Sequence, residues 1–352
     1  MKIGICGDVH WSAYSSIVRS RGDKYSTRLE NLIKSVNWFE KITEEKNCVS
    51  NIYLGDFFDR DQLIGEEISA LQEIKWNDNS KVFLVGNHEM SRSTLEFSSS
   101  HLFKLCPRAV VIDSPQDYYI GDTQLCFLPY ILESNRESIS SYFNPNKNNK
   151  RIIFSHNDIK DIQMGSFVST EGFSKEDIEN NCNLFINGHL HNGNWITNKI
   201  CNLGNLTGQN FSEDANIYKH NIMIIDTDTF EIEIIENPYA FNFYKLDFIT
   251  CNPCIEDEHE ICKIFDNLGN NAVITVKINY KNNLFIQDLI ANTPNILESR
   301  IIINMVKNET SAELPDTVNY TIDHIQQFTD FIKTNLGASK EILEELNKVI
   351  EG

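Results

Sequence analysis

Five short motifs in this chain carry side chains able to hold a metal ion. They are Gly7-Asp8-Val9-His10, Gly55-Asp56-Phe57-Phe58-Asp59-Arg60, Gly86-Asn87-His88-Glu89, Ser155-His156-Asn157 and Gly188-His189-Leu190-His191. Each joins a glycine or small residue to Asp, Asn or His, and glycine permits a tight turn with close backbone approach. Five of the nine histidines fall in these motifs, a concentration that surface composition does not explain. Imidazole, carboxylate and amide oxygen without thiolate favour Mn²⁺, Fe²⁺ or Zn²⁺ over a cysteine-bound structural zinc. The motifs offer seven ligands, more than one ion needs. That number suits two ions sharing a carboxylate, roughly 3.5 to 4 Å apart. Asp8-x-His10 and His189-x-His191 each put two side chains on one side of an extended segment.

The elements that must present these motifs are legible from hydrophobic periodicity. Strands are predicted at Ile3–Cys6, Asn51–Leu54, Val82–Val85, Val110–Asp113, Leu125–Leu128, Ile152–Ser155 and Leu184–Asn187. Each motif ends or follows one of them, the placement expected of a site on an α/β sheet. Leu29, Leu32, Ile33, Val36, Phe39 and Ile42 repeat at helical spacing from about Ser26 to Asn47, and a second amphipathic stretch follows Asp61. Ser174 with Asp177 resembles a capping box. Ile222–Asp226 and Glu231–Ile235 read as a closing hairpin. Asn237-Pro238 marks a break. Beyond it the order is a strand near Phe243–Phe248, a helix near Glu256–Leu268, the strand Ala272–Asn279, a helix near Leu284–Ala291 and the strand Arg300–Val306. A loop with Pro315 then leads to a tail in which Ile322, Ile325, Phe328, Phe331 and Ile332 form one apolar stripe.

The five motifs, in this order, resemble those of the calcineurin-like metallophosphoesterase superfamily: D-x-H, G-D-x-x-D/H, G-N-H-D/E, H and G-H-x-H. The resemblance covers roughly residues 1 to 235. It implies that Asp8, His10 and His191 hold one metal, that Asn87, His156 and His189 hold a second, and that Asp56 bridges them. It also implies that His88 acts on the phosphate without ligating, that Glu89 orients His88, and that Arg60 or Asp59 supports the ligands. Arg60 is followed by Asp61, where Ser/Thr protein phosphatases carry glycine. Two departures remove no ligand: Glu89 stands where Asp is commoner, and Trp11 follows His10 where Leu-Gly is frequent.

The layout of the whole chain resembles the SbcD-type nuclease subunits of double-strand-break processing, including phage-encoded forms. That likeness implies an α/β fold: a four-layer α/β/β/α metallophosphoesterase sandwich with a small α/β capping domain and C-terminal helices. The corresponding boundaries are 1–238, 239–308 and 309–352. It implies a DNA exo- or endonuclease with two divalent ions, Mn²⁺ foremost, acting with an SbcC-type coiled-coil ABC ATPase in DNA repair, recombination or replication. Ile325, Phe328, Phe331 and Ile332 are then candidates for docking that ATPase, and the family's homodimerisation becomes possible here. A stand-alone metallophosphatase or nucleotide phosphodiesterase is the competing expectation.

Charge constrains how such a protein could meet DNA. Lys and Arg total 31 against 50 Asp and Glu, a net charge of −19. Phosphate binding depends on clustered cations, so no broad face is expected to grip a duplex. Two divalent ions against two carboxylates would still leave a local surplus of about two positive charges. Arg19, Arg21, Lys24 and Arg28 form the densest basic stretch near the motifs and are candidate DNA-backbone contacts. Cys251, Cys254, His259 and Cys262 hint at a small zinc site. Nine cysteines, mostly scattered, and no signal-peptide pattern at Met1–Cys6 suggest a reducing, cytoplasmic setting. No apolar run approaches the roughly 20 residues of a membrane helix.

Overall fold

The computed structural model describes residues 1–15, 23–144, 150–164, 167–251 and 255–304. Two six-stranded sheets form the larger part. The first runs in the order Ile232–Glu236, Asn221–Asp226, Lys2–Cys6 (β1), Ser50–Tyr53 (β2), Ser80–Leu84 (β3) and Ala109–Ile112. Its last four strands are parallel, and Asn221–Asp226 lies antiparallel to β1. The second sheet runs Asn194–Trp195, Ile200–Asn202, Leu184–Asn187, Arg151–Ser155, Thr123–Leu128 and Gln116–Ile120, with the central four strands parallel.

Period-2 alternation explains how the sheets stack. Ile3 and Ile5 of β1, Ile52 of β2 and Leu84 of β3 point inward. They meet Leu125, Phe127, Ile152, Phe154, Leu184 and Ile186 from the other sheet in one buried layer. The alternate residues Cys6, Tyr53 and Phe83 face outward onto helix α1 (Thr27–Glu45), through Leu29, Leu32, Val36 and Phe39. On the far side Cys126, Ile153 and Phe185 pack against Ile139 and Ile178 of two short helices. Helix, sheet, sheet and helix layers follow in that order, as expected for the sandwich.

Local chemistry sets the helix ends. Ser26 caps α1 by accepting from Leu29 N at 3.2 Å. Ser174 likewise accepts from Asp177 N at 3.1 Å. The Asp177 carboxylate does not complete a reciprocal box; it takes bonds from Ser138 Oγ and Ile139 N instead. Aspartate is one methylene shorter than the glutamate that usually reaches back. Past Asp61 the helix is brief, Gly65–Leu71 (α2).

Residues 242–304 build a smaller layer. Three parallel strands, Asn242–Phe248, Ala272–Asn279 and Ile296–Asn304, are linked by helices Ile255–Asp266 and Asn283–Asn292. Tyr244, Leu246, Phe248, Ile274, Val276 and Ile278 share a core with Ile261, Phe265 and Ile286 of those helices. The described residues all belong to one compact unit. The candidate docking residues Ile325, Phe328, Phe331 and Ile332 lie outside the described residues.

Candidate metal centre

The parallel strands of both sheets deliver the five motifs to one edge. Asp8 and His10 follow β1, Asp56 follows β2, and Asn87 and His88 follow β3. His156 follows Arg151–Ser155, while His189 and His191 follow Leu184–Asn187. The turns are tight enough to leave the usual backbone regions. His10 (φ 49°), Asp56 (φ 46°) and His189 (φ 72°) are all left-handed, a conformation that non-glycine residues hold only where surroundings enforce it. The enforcement is visible for His10, whose N–H donates to Asp56 O at 2.8 Å while Trp11 N donates to Phe57 O at 2.7 Å. At Gly86 a Cβ would stand 2.1 Å from Asp56 Oδ1, so only glycine lets the third motif pass that carboxylate.

The side chains converge as three overlapping groups linked through His10 and Asp56. Asp8, His10 and His191 form one set of close donors, Asp56, His156 and His189 a second, and His10, Asp56 and His88 a third. Among the described residues, every set of three or more such donors comes from this cluster. His10 Nε2 lies 4.0 Å from Asp8 Oδ2 and 3.9 Å from Asp56 Oδ2. His156 Nε2 lies 3.1 Å from Asp56 Oδ2 and 3.1 Å from Asn87 Oδ1, and His189 Nδ1 sits 3.0 Å from that same amide oxygen. All seven residues named from the sequence therefore meet in one pocket.

Asp8 Oδ2 and His10 Nε2 are buried and have no hydrogen-bond partner. Buried polar atoms are nearly always satisfied. Two such donor atoms facing one another beside a carboxylate suit a cation, and the set contains no thiolate. Divalent ions therefore fit these residues.

Charge inside the cluster is finely divided. Burial pushes Asp8 above the usual carboxylate range. Asp56 is equally buried, but the imidazoles of His156, His10 and His88 together outweigh that cost and take it well below. Burial would lower His156; the Asp56 and Asp8 carboxylates prevail and hold it up at about 9. Burial, then neighbouring His10, bring His191 down to about 3.

Three of the outer ring nitrogens, those of His10, His156 and His189, are hydrogen-bonded, which fixes ring orientation. His10 Nδ1 faces Asp59 Oδ1 at 3.1 Å, and His156 Nδ1 donates to Leu54 O at 2.8 Å. His189 Nε2 faces Asp158 Oδ1 at 3.1 Å, a bond that holds Asp158 below its ordinary range. His191 Nδ1 has Glu213 Oε1 at 3.8 Å. Neither Asp158 nor Glu213 belongs to a recognised motif; the only sequence signal for Asp158 is its position two residues after His156.

His88 lies against His10 and Asp56, its ring centroid 4.8 Å from that of His10, but its side chain is 42% exposed. Its N–H donates to Asp56 Oδ1 at 3.0 Å and its Nδ1 bonds Asp59 O at 3.0 Å. The expectation that Glu89 orients it is corrected. Glu89 is fully buried and accepts from Phe58 N, Gly86 N and Ser100 Oγ, so it braces two metal loops against each other. Consecutive residues at this turn point opposite ways, and the Glu89 carboxylate turns inward. Arg60 likewise does not reach the ligands. It bonds Glu67 Oε1 at 2.6 Å, and the same oxygen accepts from Ala13 N, which steadies the chain just past His10.

The basic stretch also reads differently in three dimensions. Arg28 is buried, its guanidinium donating to Gly208 O at 2.8 Å, and so is no DNA contact. Lys24 is exposed but paired with Glu73. Arg19 and Arg21 lie outside the described residues, as does Cys254 of the possible zinc set. Cys251 and Cys262 are half-buried and His259 is exposed. Among the described residues no helix is long and apolar enough to cross a membrane.

A family model described as calcineurin-like phosphoesterase matches residues 1–225. No curated protein matches the chain. Among solved structures, a hypothetical protein from Thermus thermophilus shares 10% identity, covering 68% of this chain and 100% of that one, with a TM-score of 0.36. A single mutant of Vps29 from Entamoeba histolytica shares 11% identity, covering 67% and 99%, with a TM-score of 0.29.

Proposed function

The chain belongs to the calcineurin-like phosphoesterase family, and from that premise we propose that it is a two-metal DNA nuclease working with a coiled-coil ABC ATPase. The observation that carries the phosphodiester chemistry is the arrangement of His88. It sits half-exposed beside seven donor residues, of which Asp8, His10, Asp56 and His156 are buried, and hangs from the bridging candidate Asp56 through its own N–H.

Asp8, His10 and His191 would hold one divalent ion and Asn87, His156 and His189 the other, with Asp56 between. Such a pair supplies neutralisation of phosphate charge and activation of water for in-line attack. The protein's own share is positional. Asp59, Leu54 O and Asp158 fix three of the ligand rings, and Asp59 O turns His88 Nδ1 inward. Because Nδ1 must donate to that carbonyl, it is the imidazolium form of His88 that leaves a second N–H, on Nε2, to donate to a phosphate oxygen or to protonate the leaving oxygen.

Two features favour a nuclease with a partner. A second α/β layer, residues 242–304, follows the phosphoesterase fold. The acidic chain, at −19, lacks the cations to grip a duplex alone, so a partner would supply them. The apolar stripe at Ile325, Phe328, Phe331 and Ile332 is the candidate docking segment.

A stand-alone phosphoesterase for small substrates is the second reading. It is favoured by the loss of Arg28 and Lys24 as free cations beside the site. The experiment is hydrolysis by the full chain with Mn²⁺, with and without the ATPase from its native host. Substrates are labelled single- and double-stranded DNA, bis(p-nitrophenyl) phosphate and p-nitrophenyl phosphate. The nuclease reading expects DNA cleavage that the ATPase stimulates. Turnover of the small esters with DNA left intact under both conditions contradicts it.

A further inference from the structure

We propose that Asp158 is a positioning residue of the metal centre: it sets the ring orientation and tautomer of His189, and so controls how tightly the ion on the Asn87 side is held. The inference rests on the two-ion reading of the centre and goes beyond it by assigning a role outside the five motifs.

His189 is held at both ends. Its backbone is left-handed, and its N–H donates to Asp8 Oδ1 at 3.1 Å. Its Nε2 meets Asp158 Oδ1 at 3.1 Å. An ionised carboxylate can only accept, so the ring proton belongs on Nε2. The lone pair is then on Nδ1, the atom that lies 3.0 Å from Asn87 Oδ1 within the second donor group. Without Asp158 the ring could adopt the other tautomer, or swing on its Cβ, and present an N–H where a ligand is needed.

Asp158 is itself clamped by a neighbouring segment. Its carbonyl accepts from Phe173 N at 3.1 Å, and Lys160 N donates back to Phe173 O at 2.9 Å. Gly172, at φ 109°, makes this approach possible, because a Cβ there would lie 2.4 Å from the Asp158 carbonyl carbon and oxygen. A remote change at Gly172 should therefore act through Asp158 on His189.

The test is Mn²⁺ titration of the metal-free full chain by calorimetry, with electron paramagnetic resonance reading the exchange-coupled ion pair. Wild-type protein should take up two ions. Asp158→Ala should weaken the second by about 10- to 100-fold and diminish the coupled signal, with the first ion unchanged. Asp158→Asn, whose amide oxygen can still accept from Nε2, should fall between. Gly172→Ala should shift the second ion in the same direction. His189→Ala separates the two ways of failing. If it keeps both ions, the ligand set itself is wrong and the inference falls with it. If it loses one while Asp158→Ala binds both as tightly as wild type, only the role of Asp158 is overturned. Equal weakening of both ions in Asp158→Ala would mark a merely structural residue and also overturn it.

Discussion

The N–H of His88 donates to Oδ1 of Asp56 across 3.0 Å, while Oδ2 of the same carboxylate faces His156 Nε2 at 3.1 Å. One side chain thus joins the metal cluster to the residue that would meet the substrate. The two residues should nevertheless separate on mutation. His88→Ala should cost about 10²- to 10⁴-fold in phosphodiester hydrolysis, the usual range for losing a general acid, with metal content intact. Asp56→Ala should lose activity and metal together. Metal analysis after gel filtration decides it, since depletion in His88→Ala would make His88 a ligand.

Gly86 and Gly65 give a steric contrast. A Cβ at Gly86 would meet Asp56 Oδ1 at 2.1 Å and Asp56 N at 2.5 Å, while one at Gly65 meets nothing within 4 Å. Gly86→Ala should destabilise by about 1–3 kcal/mol through overpacking and should lower metal occupancy. Gly65→Ala, in the first turn of α2, should be neutral or stabilising by up to about 1 kcal/mol. Urea denaturation of the two variants checks the order.

Far from the site, Glu40 is buried and bonds Asn51 Nδ2, Tyr53 OH and Asn77 N, with Lys81 Nζ at 3.2 Å. Both charged side chains are at least nine-tenths buried. Glu40→Ala leaves the buried Lys81 charge without its counter-charge, bonded only to oxygens of Asn77 and Asn79, and should cost about 3–5 kcal/mol. Metal stoichiometry of the folded fraction should not change, because the network lies at the opposite ends of the strands. A variant as stable as wild type would contradict this account.

The strand-end motifs were legible because each is contiguous: once strands were placed by their β-branched runs, the polar residues after them had only one edge to share. Their supports were not, because partners such as Asp158 and Glu213 arrive from loops with no pattern of their own. Glu89 shows the opposite hazard, adjacency in sequence without adjacency in space. Among the strands, Gln116–Ile120 escaped because it is an edge strand with a polar start, and Ile200–Asn202 because three residues carry too little periodicity. Arg28 read as a free cation since nothing in its neighbourhood reveals that α1 turns it under Gly208 O.

Proton competition should be measurable. In the metal-free protein His156 is held up at about 9 against an ordinary 6.5. Its contribution to stability is therefore complete below pH 6.5 and vanishes as pH rises toward 9. Mn²⁺ must displace that proton, so its affinity should rise over the same window. Thermal denaturation with EDTA and with Mn²⁺ should show a gap that widens with pH. At a hundred times Kd the stabilisation would be about 2.7 kcal/mol. A gap that narrows with pH contradicts the assignment.

The central claim is a pair of ions held by seven side chains from five separate stretches of chain. Anomalous diffraction from Mn²⁺-soaked crystals tests it most directly. The account predicts two peaks roughly 3.5 to 4 Å apart. One should lie against Asp8, His10 and His191, the other against Asn87, His156 and His189, with Asp56 between. A map with no density there, or with Mn²⁺ bound by other residues, would contradict it.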